Sequence, residues 1–259
     1  MVGRLAGRAL GPVMDLVLPE VCWAGAEGAA AFGLAEATRE KIAILAAREY
    51  CFHCGLTVGP YERHDAKNPC GRCGERELGV GRVARVGVFD EPLVTLVHRM
   101  KFGRAWEIAR VLAPFMLQAV TRSSEGAGTQ VPVDVLAPVP LHWRRKASRG
   151  FNQSEELTRE VAALGGFRVV RALRRRRATP AQATLDTRTS RLENLRGAFE
   201  PVARAGRSVA GKHVWLVDDV TTTGATLHAA ASAMRRLPRE HKPASINALV
   251  VCVTDRQWA

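Results

Sequence analysis

The sequence of 259 residues lacks a long apolar stretch. It contains no run of about 18 apolar residues, which excludes a membrane-spanning helix of ordinary length. The N-terminal stretch from Ala9 to Leu18 is only mildly apolar, is interrupted by Gly11 and Pro12, and lacks a clean small-residue cleavage site after it. We therefore interpret it as an amphipathic segment of the mature protein and not as a signal peptide. Without export, we expect a cytoplasmic protein, in which cysteines bind metals more often than they form disulfides.

Acidic and aromatic residues are both scarce beside the basic ones. Asp and Glu number 25 against 38 Lys and Arg, which gives a formal net charge of +13, and aromatic residues make up only 6%. Such a surplus favours polyanionic partners, whether nucleic acid, phosphate compounds or an anionic membrane face. An Arg-rich composition without any such partner is the alternative. Because 47% of the residues are apolar and 24% are charged, a mostly disordered chain is excluded.

Four of the six cysteines follow a metal-binding pattern. Cys51, Cys54, Cys70 and Cys73 form two C-x2-C pairs separated by fifteen residues. Two residues between thiols let one tight turn present both to a single ion, and two such turns complete the tetrahedron that zinc prefers. The spacing predicts a structural zinc site, with unliganded or redox-active thiols as the alternative. Cys252 lies in an apolar run and is expected in the core.

Short apolar runs alternate with helix-like segments in the second half of the chain. The runs Val133–Val139, Val214–Val217 and Ile246–Val253 are apolar throughout or nearly so, as in strands that are buried on both faces. This alternation predicts an α/β fold with a doubly wound, mostly parallel sheet. We expect a helical and zinc-binding module over residues 1–80 and the α/β domain over residues 81–259.

The segment from Val214 to Leu227 carries the most specific chemistry. Its apolar strand ends in Asp218 and Asp219, and a turn rich in Thr and Gly then opens a helix. Free backbone N–H groups at such a turn bind phosphate, and the carboxylates accept hydrogen bonds from the vicinal hydroxyls of a sugar. The alternative is a capped helix without a ligand. We expect Gly224 to lie at a surface turn, where a side chain would collide with the phosphate or force an unfavourable backbone angle.

At these residues the chain resembles the type I phosphoribosyltransferases, which bind phosphoribosyl pyrophosphate (PRPP). Further segments resemble the ComF competence family, namely Ala137–Trp143, Arg149–Gln153, Thr179, Gln182, Leu185, Arg191, Asn194 and Arg196–Phe199. The position at which purine-salvage relatives carry an acid is Thr222 here, which disfavours a purine acceptor. Lys101 also matches a family position, without an assigned role.

The resemblance implies a set of site residues. Asp218 and Asp219 would hold the ribose hydroxyls of PRPP directly or through Mg²⁺. The other implied PRPP-binding residues are Thr221, Thr222, Thr223, Gly224, Ala225, Thr226, Pro138, Val139, Pro140, Leu141 and Arg149. Asn152 could instead simply cap the helix that follows it.

The resemblance to ComF also implies a role in DNA uptake, in which the protein handles incoming single-stranded DNA at the cytoplasmic side, with other uptake proteins at the inner membrane face. The alternative is an enzyme that transfers phosphoribose to an unidentified non-purine acceptor and has no DNA role. Arg174, Arg175, Arg176 and Arg177 are candidate DNA contacts, although four consecutive arginines cannot share one face. Few aromatic residues interleave with the arginine-rich stretch 168–196, so the sequence does not indicate binding of single strands by stacking.

Overall fold

The protein is described from a computed structural model, which covers residues 34–59, 61, 68–75, 78–125, 130–177 and 194–255. The N-terminal segment, Cys22 and the family-like positions from Thr179 to Arg191 lie outside the described residues. Within these ranges no helix is both long and apolar enough to cross a bilayer.

Five parallel strands form the central sheet, in the order β1-β7-β6-β2-β3. Two further strands, β4 and β5, pair with each other as an antiparallel hairpin. The strands are β1 (Val83–Val88), β2 (Val135–Pro138), β3 (Arg168–Val169), β4 (Leu173–Arg175), β5 (Phe199–Pro201), β6 (His213–Thr221) and β7 (Ser245–Val253). The predicted mostly parallel α/β sheet is thus confirmed.

The helices cover both faces of this sheet. They are α1 (Glu36–Ala47), α2 (Leu93–Phe102), α3 (Ile108–Glu125), α4 (Trp143–Arg149), α5 (Gln153–Gly165), α6 (Gly206–Val209) and α7 (Ala225–Arg235). Side chains of α1, α2, α3 and α5 share one apolar cluster with Trp215 and Val217 of β6. Those of α7 share the other cluster with Val214 and Leu216. Alternate residues of β6 therefore face opposite helical layers. Because both faces of the strand are buried, consecutive residues in it are apolar.

The cysteine segment packs directly on the sheet. Cys51, Cys54 and Cys70 belong to the same apolar cluster as α7 and the facing side of the strands. Val83 N donates to Phe52 O at 2.6 Å, so the first cysteine turn lies beside the start of β1. The buried Arg85 of β1 donates to Gly55 O at 2.6 Å and to Thr57 Oγ1 at 2.7 Å. These bonds satisfy the carbonyl of the turn and fix it against the sheet.

The stretch Phe167–Leu173 is divided between two sheets. Arg168 and Val169 form the edge strand β3, the next three residues belong to no regular element, and Leu173 begins β4. Val170 N donates to Leu136 O at 3.0 Å, whereas Arg176 N donates to Ala198 O at 2.9 Å. The chain therefore leaves the main sheet within this run and enters the hairpin that stands beside α7.

Candidate functional site

The Asp pair lies near the carboxyl end of β6, the central strand of the sheet, beside the end of its neighbour β2. Pro138 at the end of β2 is aligned with Val217, and Val139 N donates to Val217 O at 3.0 Å. The loop that begins at Pro138 therefore leaves the sheet beside Asp218. This edge of a parallel sheet is the usual ligand position in doubly wound folds.

Asp218 is held in a fixed orientation by two donors. Its Oδ1 accepts from Ser154 Oγ at 2.9 Å and from Asp219 N at 3.0 Å. Burial, reinforced by the negative charge of Asp219, raises the pKa of Asp218 to about 7. Ser154 lies in the first turn of α5, so this helix positions a carboxylate of β6, which continues past both aspartates to Thr221. No sequence signal marks Ser154 for this role.

Asp219 forms an ion pair with Lys101. Lys101 Nζ lies 3.1 Å from Asp219 Oδ2, and both side chains are largely buried. Asp219 Oδ1 accepts from Val220 N at 2.7 Å. Lys101 occupies the last turn of α2, and the structure thereby gives this residue a position in the site that sequence patterns alone did not assign.

The Thr-rich turn joins β6 to α7 at a left-handed residue. Gly224 has φ +80° and is the N-cap of α7, with no side-chain cap. The predicted unfavourable angle for any side chain is thus confirmed. The predicted surface position is wrong, because Gly224 is buried and a β-carbon on it would lie 1.8 Å from Leu78 Cδ2. Leu78, from the segment after the second cysteine turn, therefore covers this turn.

The hydroxyls of the turn are not equivalent. Thr223 is buried, and its Oγ1 accepts from Ala225 N at 3.4 Å, which makes it a local cap. Thr221 Oγ1 is buried without a hydrogen-bond partner among the described residues. Thr222 and Thr226 are partly exposed. An unpartnered buried hydroxyl at the end of the strand is a polar atom for which a ligand oxygen would be a suitable partner.

Arg149 faces the Asp pair from the end of α4. Its Nη1 donates to Gln153 Oε1 at 3.2 Å, and its guanidinium lies 5.4 Å from the centroid of the Phe102 ring. Burial lowers the pKa of Arg149, while the charges of Asp219 and Asp218 raise it. Arg149 is therefore close enough to Asp218 and Asp219 for their charges to stabilise its own.

Asn152 acts as the N-cap of α5, as the sequence suggested. Its Oδ1 accepts from Ser154 N at 3.3 Å. Its Nδ2 also donates to Val139 O at 3.1 Å. The same residue therefore fixes the loop after β2 and the helix that carries Ser154.

The four consecutive arginines divide between two surfaces. Arg174 and Arg176 both bind Glu200, at 2.9 Å and 2.6 Å, and Arg177 donates to Arg196 O at 3.0 Å. Arg175 points to the opposite side, lies 5.2 Å above the Phe199 ring centroid and is mostly buried. The DNA-binding role expected for these residues stays a prediction.

Arg175 belongs electrostatically to the Asp site. Burial lowers its pKa to about 10, repulsion from Arg145 contributes to that shift, and attraction to Asp218 opposes it. It remains a cation at neutral pH. Strand alternation is the sequence signal that separates Arg175 from its neighbours, but it is usable only once β4 is known to be a strand.

The four predicted cysteines converge on one point. Their sulfur atoms all lie within 4.8 Å of one another, and the Cys51–Cys73, Cys54–Cys70 and Cys70–Cys73 pairs are 3.5, 3.6 and 3.7 Å apart. A tetrahedron with metal–sulfur bonds of about 2.3 Å has edges of about 3.8 Å. The cluster therefore has the dimensions of a tetrahedral metal site and could bind a metal ion.

The thiols of the cluster influence one another's protonation. A hydrogen bond from Cys54 lowers the pKa of Cys51 to about 4, whereas burial raises the pKa of Cys73 to about 12. Without a cation, the buried cluster thus favours one thiolate among thiols. A divalent ion would stabilise all four thiolates, which is how structural zinc sites acquire their affinity.

Comparison with known proteins places these features in a family. The family model of the phosphoribosyl transferase domain matches residues 139–258. DNA utilization protein YhgH of Salmonella typhi is 36% identical over 228 residues, which cover 85% of this chain and 93% of that protein. Competence protein F of Haemophilus influenzae is 32% identical over 189 residues, which cover 73% of this chain and 79% of that protein. The chain belongs to the competence protein F (ComF) family. In this ComF-family chain the matched transferase region includes the Asp pair, the Thr-rich turn and Arg175, whereas Lys101 and the four clustered cysteines precede it.

Proposed function

We propose that this ComF-family protein binds PRPP together with Mg²⁺ and acts in the handling of single-stranded DNA during DNA uptake. The observation that carries the PRPP assignment is the convergence of Asp218 and Asp219, the Thr-rich turn and three cations at one edge of the sheet. Those cations are Lys101, Arg149 and Arg175. A sugar with phosphates at both ends matches carboxylates that are flanked by anion-binding groups on two sides.

The proposed roles follow from these positions. Asp218 and Asp219 accept hydrogen bonds from the ribose hydroxyls, and the turn residues Thr221–Thr226 bind the 5′-phosphate through backbone N–H groups and hydroxyls. The loop Pro138–Leu141, with Arg149 and Arg175, faces the pyrophosphate. Mg²⁺, held near the Asp pair, would neutralise charge on the pyrophosphate. The oxygen donors of the two aspartates fit the preference of that ion.

Transfer chemistry at this site would be mainly electrostatic. Departure of pyrophosphate leaves positive charge on the ribose ring, which the carboxylates of Asp218 and Asp219 stabilise, while the cations stabilise the leaving group. The acid that serves purine-salvage relatives is replaced by Thr222. The proposal therefore does not require a purine acceptor.

The cysteine cluster is proposed to hold one structural zinc ion. Four thiolates leave no coordination position for a substrate. The proposed domains are residues 1–80, which contain the zinc site, and residues 81–259. Leu78 of the first domain contacts the Thr-rich turn of the second.

The DNA role is supported by charge and by the relatives. The net charge of +13 suits a polyanionic partner, and the relatives are named for DNA utilization and for competence. We propose a cytoplasmic location, including the inner face of the membrane, where the protein would meet other DNA-uptake proteins.

Calorimetry with Mg-PRPP tests the PRPP site. Replacing both carboxylates (Asp218→Asn with Asp219→Asn) is expected to weaken the affinity at least tenfold, about 1.4 kcal/mol, because each lost charge-assisted hydrogen bond contributes about 1.5–3 kcal/mol. Asp90→Asn, an exposed carboxylate on another loop, serves as the matched control. Equal affinities for the double variant and the wild type would contradict the assignment.

Two further measurements separate binding from transfer. Pyrophosphate release from PRPP is measured with and without candidate acceptors, and binding of single-stranded DNA is measured across a range of salt concentrations. Binding of DNA together with PRPP, without release, supports the proposal. Acceptor-dependent release without DNA binding would instead identify a transferase with no DNA role.

A further inference from the structure

Helix α4 (Trp143–Arg149) buries none of its residues. Most short helices owe their stability to a packed apolar face, whereas this one is held mainly by its ends. His142 Nδ1 accepts from Arg144 N at 3.3 Å, and the left-handed Gly150 donates to Lys146 O at 2.8 Å. The scaffold therefore fixes a helix whose side chains are mostly exposed, with only Arg145 and Arg149 partly covered.

The exposed surface of α4 is strongly cationic. Its seven residues, WRRKASR, include four cations and no acid. Lys146 is paired with Glu155 at 2.8 Å, but Arg144 has no carboxylate within ion-pair distance among the described residues. After burial, which is the larger effect, the charges of Arg175, Arg144 and Arg145 lower the pKa of His142. The cations around α4 thus repel one another, and a bound polyanion would relieve that repulsion.

Other arginine clusters are partly compensated by carboxylates. Arg174 and Arg176 share Glu200. A cleft of about 640 Å³ along the edge strand β3 is lined by four arginines and two glutamates. Two of those arginines, Arg159 and Arg171, pair with glutamates at its rim. In α4, Arg144 is an exposed arginine without a carboxylate partner among the described residues.

Large aromatic side chains are exposed at both ends of α4. Trp143 at its start is 65% exposed, and Phe102, beside its end, is 72% exposed. Arg144 lies 5.4 Å from the Trp143 ring centroid, and Arg149 lies 5.4 Å from that of Phe102. We call Trp143, Arg144, Lys146, Arg149 and Phe102 the cationic rim. Since α4 is about 10 Å long, the rim has room for a few nucleotides.

We propose that the cationic rim binds single-stranded DNA by stacking unpaired bases on Trp143 and Phe102 while the exposed cations Arg144 and Lys146 contact its phosphates. Exposed π faces interleaved with basic side chains are the features by which proteins hold single strands without sequence preference. A duplex keeps its base faces stacked and could use only the charges. This inference rests on the proposed function, which supplies single-stranded DNA as the ligand. It adds the surface that binds the strand, which lies outside the arginine-rich stretch 168–196.

Two oligonucleotides of equal length separate stacking from charge. Fluorescence anisotropy is measured with labelled oligo(dT) and with an abasic deoxyribose-phosphate strand. Trp143→Ala is expected to weaken oligo(dT) binding at least fivefold, about 1 kcal/mol, and to leave binding of the abasic strand unchanged. Trp143→Phe should retain most of the affinity. Ile44→Ala, an apolar side chain that is 62% exposed on α1, is the matched control and should change neither value.

Charge is tested separately by Arg144→Gln, with Arg39→Gln, an exposed arginine on α1, as the comparison. The Arg144 variant should flatten the salt dependence by about 0.7 in slope, whereas the Arg39 variant should not. Unchanged oligo(dT) affinity in Trp143→Ala overturns the inference, as does an equal loss for both strands. The variants are also tested for binding to phosphatidylglycerol vesicles. If they lose vesicle binding while their affinity for oligo(dT) is unchanged, the rim is a membrane contact and the inference is overturned. Mg-PRPP calorimetry on the wild type reports separately whether the proposed phosphosugar site exists.

Discussion

At the scale of single residues, the site combines an unfavourable charge with its compensation. Asp218 lies beside Asp219 in a partly buried position, and Ser154, Lys101 and Arg149 surround the pair. Ionised carboxylates would bind a ribose and its cation. In the unliganded protein, however, the same two neighbouring charges lower the stability of the fold. Binding and stability should therefore respond in opposite directions to loss of the Asp218 charge.

Asp218→Asn is expected to stabilise the unliganded protein at pH 8. The folded state has a pKa of about 7 at Asp218, above the value of about 3.9 in an unfolded chain. The folded state thus binds the proton more tightly, and stability falls as pH rises from about 4 to about 7. Asn keeps the acceptor for Ser154 and cannot ionise. The melting temperature at pH 8 should rise by at least about 3 °C, with little change at pH 4. A lower melting temperature at pH 8 would contradict the raised pKa.

Arg175→Gln should weaken Mg-PRPP binding about tenfold, because a charged hydrogen bond to pyrophosphate contributes about 1.5–3 kcal/mol. The neighbouring Arg174→Gln provides the control, since Arg174 points away and binds Glu200. Its effect should be less than twofold. Calorimetry on both variants decides the matter, and equal effects would remove Arg175 from the site.

At the scale of elements, the strand–turn–helix unit of β6 and α7 could be predicted from the sequence, except that β6 continues through both aspartates to Thr221 instead of ending at them. Four apolar residues, two aspartates and a Thr/Gly turn have few other interpretations. The environment of the turn could not be predicted, because Leu78 approaches from a segment about 146 residues away in sequence. Likewise, the short strands of the β4–β5 hairpin depend on pairing across residues 178–193 and leave almost no periodic signal. Local patterns thus predict elements and their chemistry, while contacts distant in sequence decide which side chains meet.

Gly224→Ala should lower stability as well as Mg-PRPP affinity. The residue has φ +80°, and its β-carbon would overlap Leu78. The left-handed backbone costs about 1–2 kcal/mol for a non-glycine residue, and overpacking adds about 1–3 kcal/mol. Urea unfolding of Gly224→Ala, Leu78→Ala and the double variant separates the two contributions. The double variant should be less destabilised than the sum of the single ones, and strict additivity would show that Leu78 does not cover the turn.

At the scale of the whole molecule, the cysteine cluster and the transferase sheet share one apolar core. We expect one zinc ion per chain in protein purified without chelator. Cys70→Ser should contain less than half an equivalent, whereas Cys252→Ser, which lies in β7 away from the cluster, should retain the metal. Elemental analysis checks both values, and full metal content in Cys70→Ser would exclude the site.

Metal removal should also destabilise the transferase sheet. Arg85 and Asp255 connect the cysteine segment to β1 and to the end of β7, through Gly55 and Thr57. Unfolding should therefore remain one cooperative transition that moves to lower temperature when zinc is chelated. Two separate transitions in calorimetry, with the upper one unaffected by chelator, would show that the two parts are independent.

Leu78 over Gly224 would give the proposed zinc site and the proposed phosphosugar site a shared thermodynamic cycle. If zinc orders Leu78 above the turn, it changes the affinity for PRPP by some factor, and PRPP must then change the affinity for zinc by the same factor. A cell short of zinc would in that case lose sugar-phosphate binding before any cysteine is damaged. Equilibrium competition with a chromogenic zinc chelator, with and without Mg-PRPP, should show less zinc removed in the presence of the sugar phosphate, and Leu78→Ala should abolish that difference.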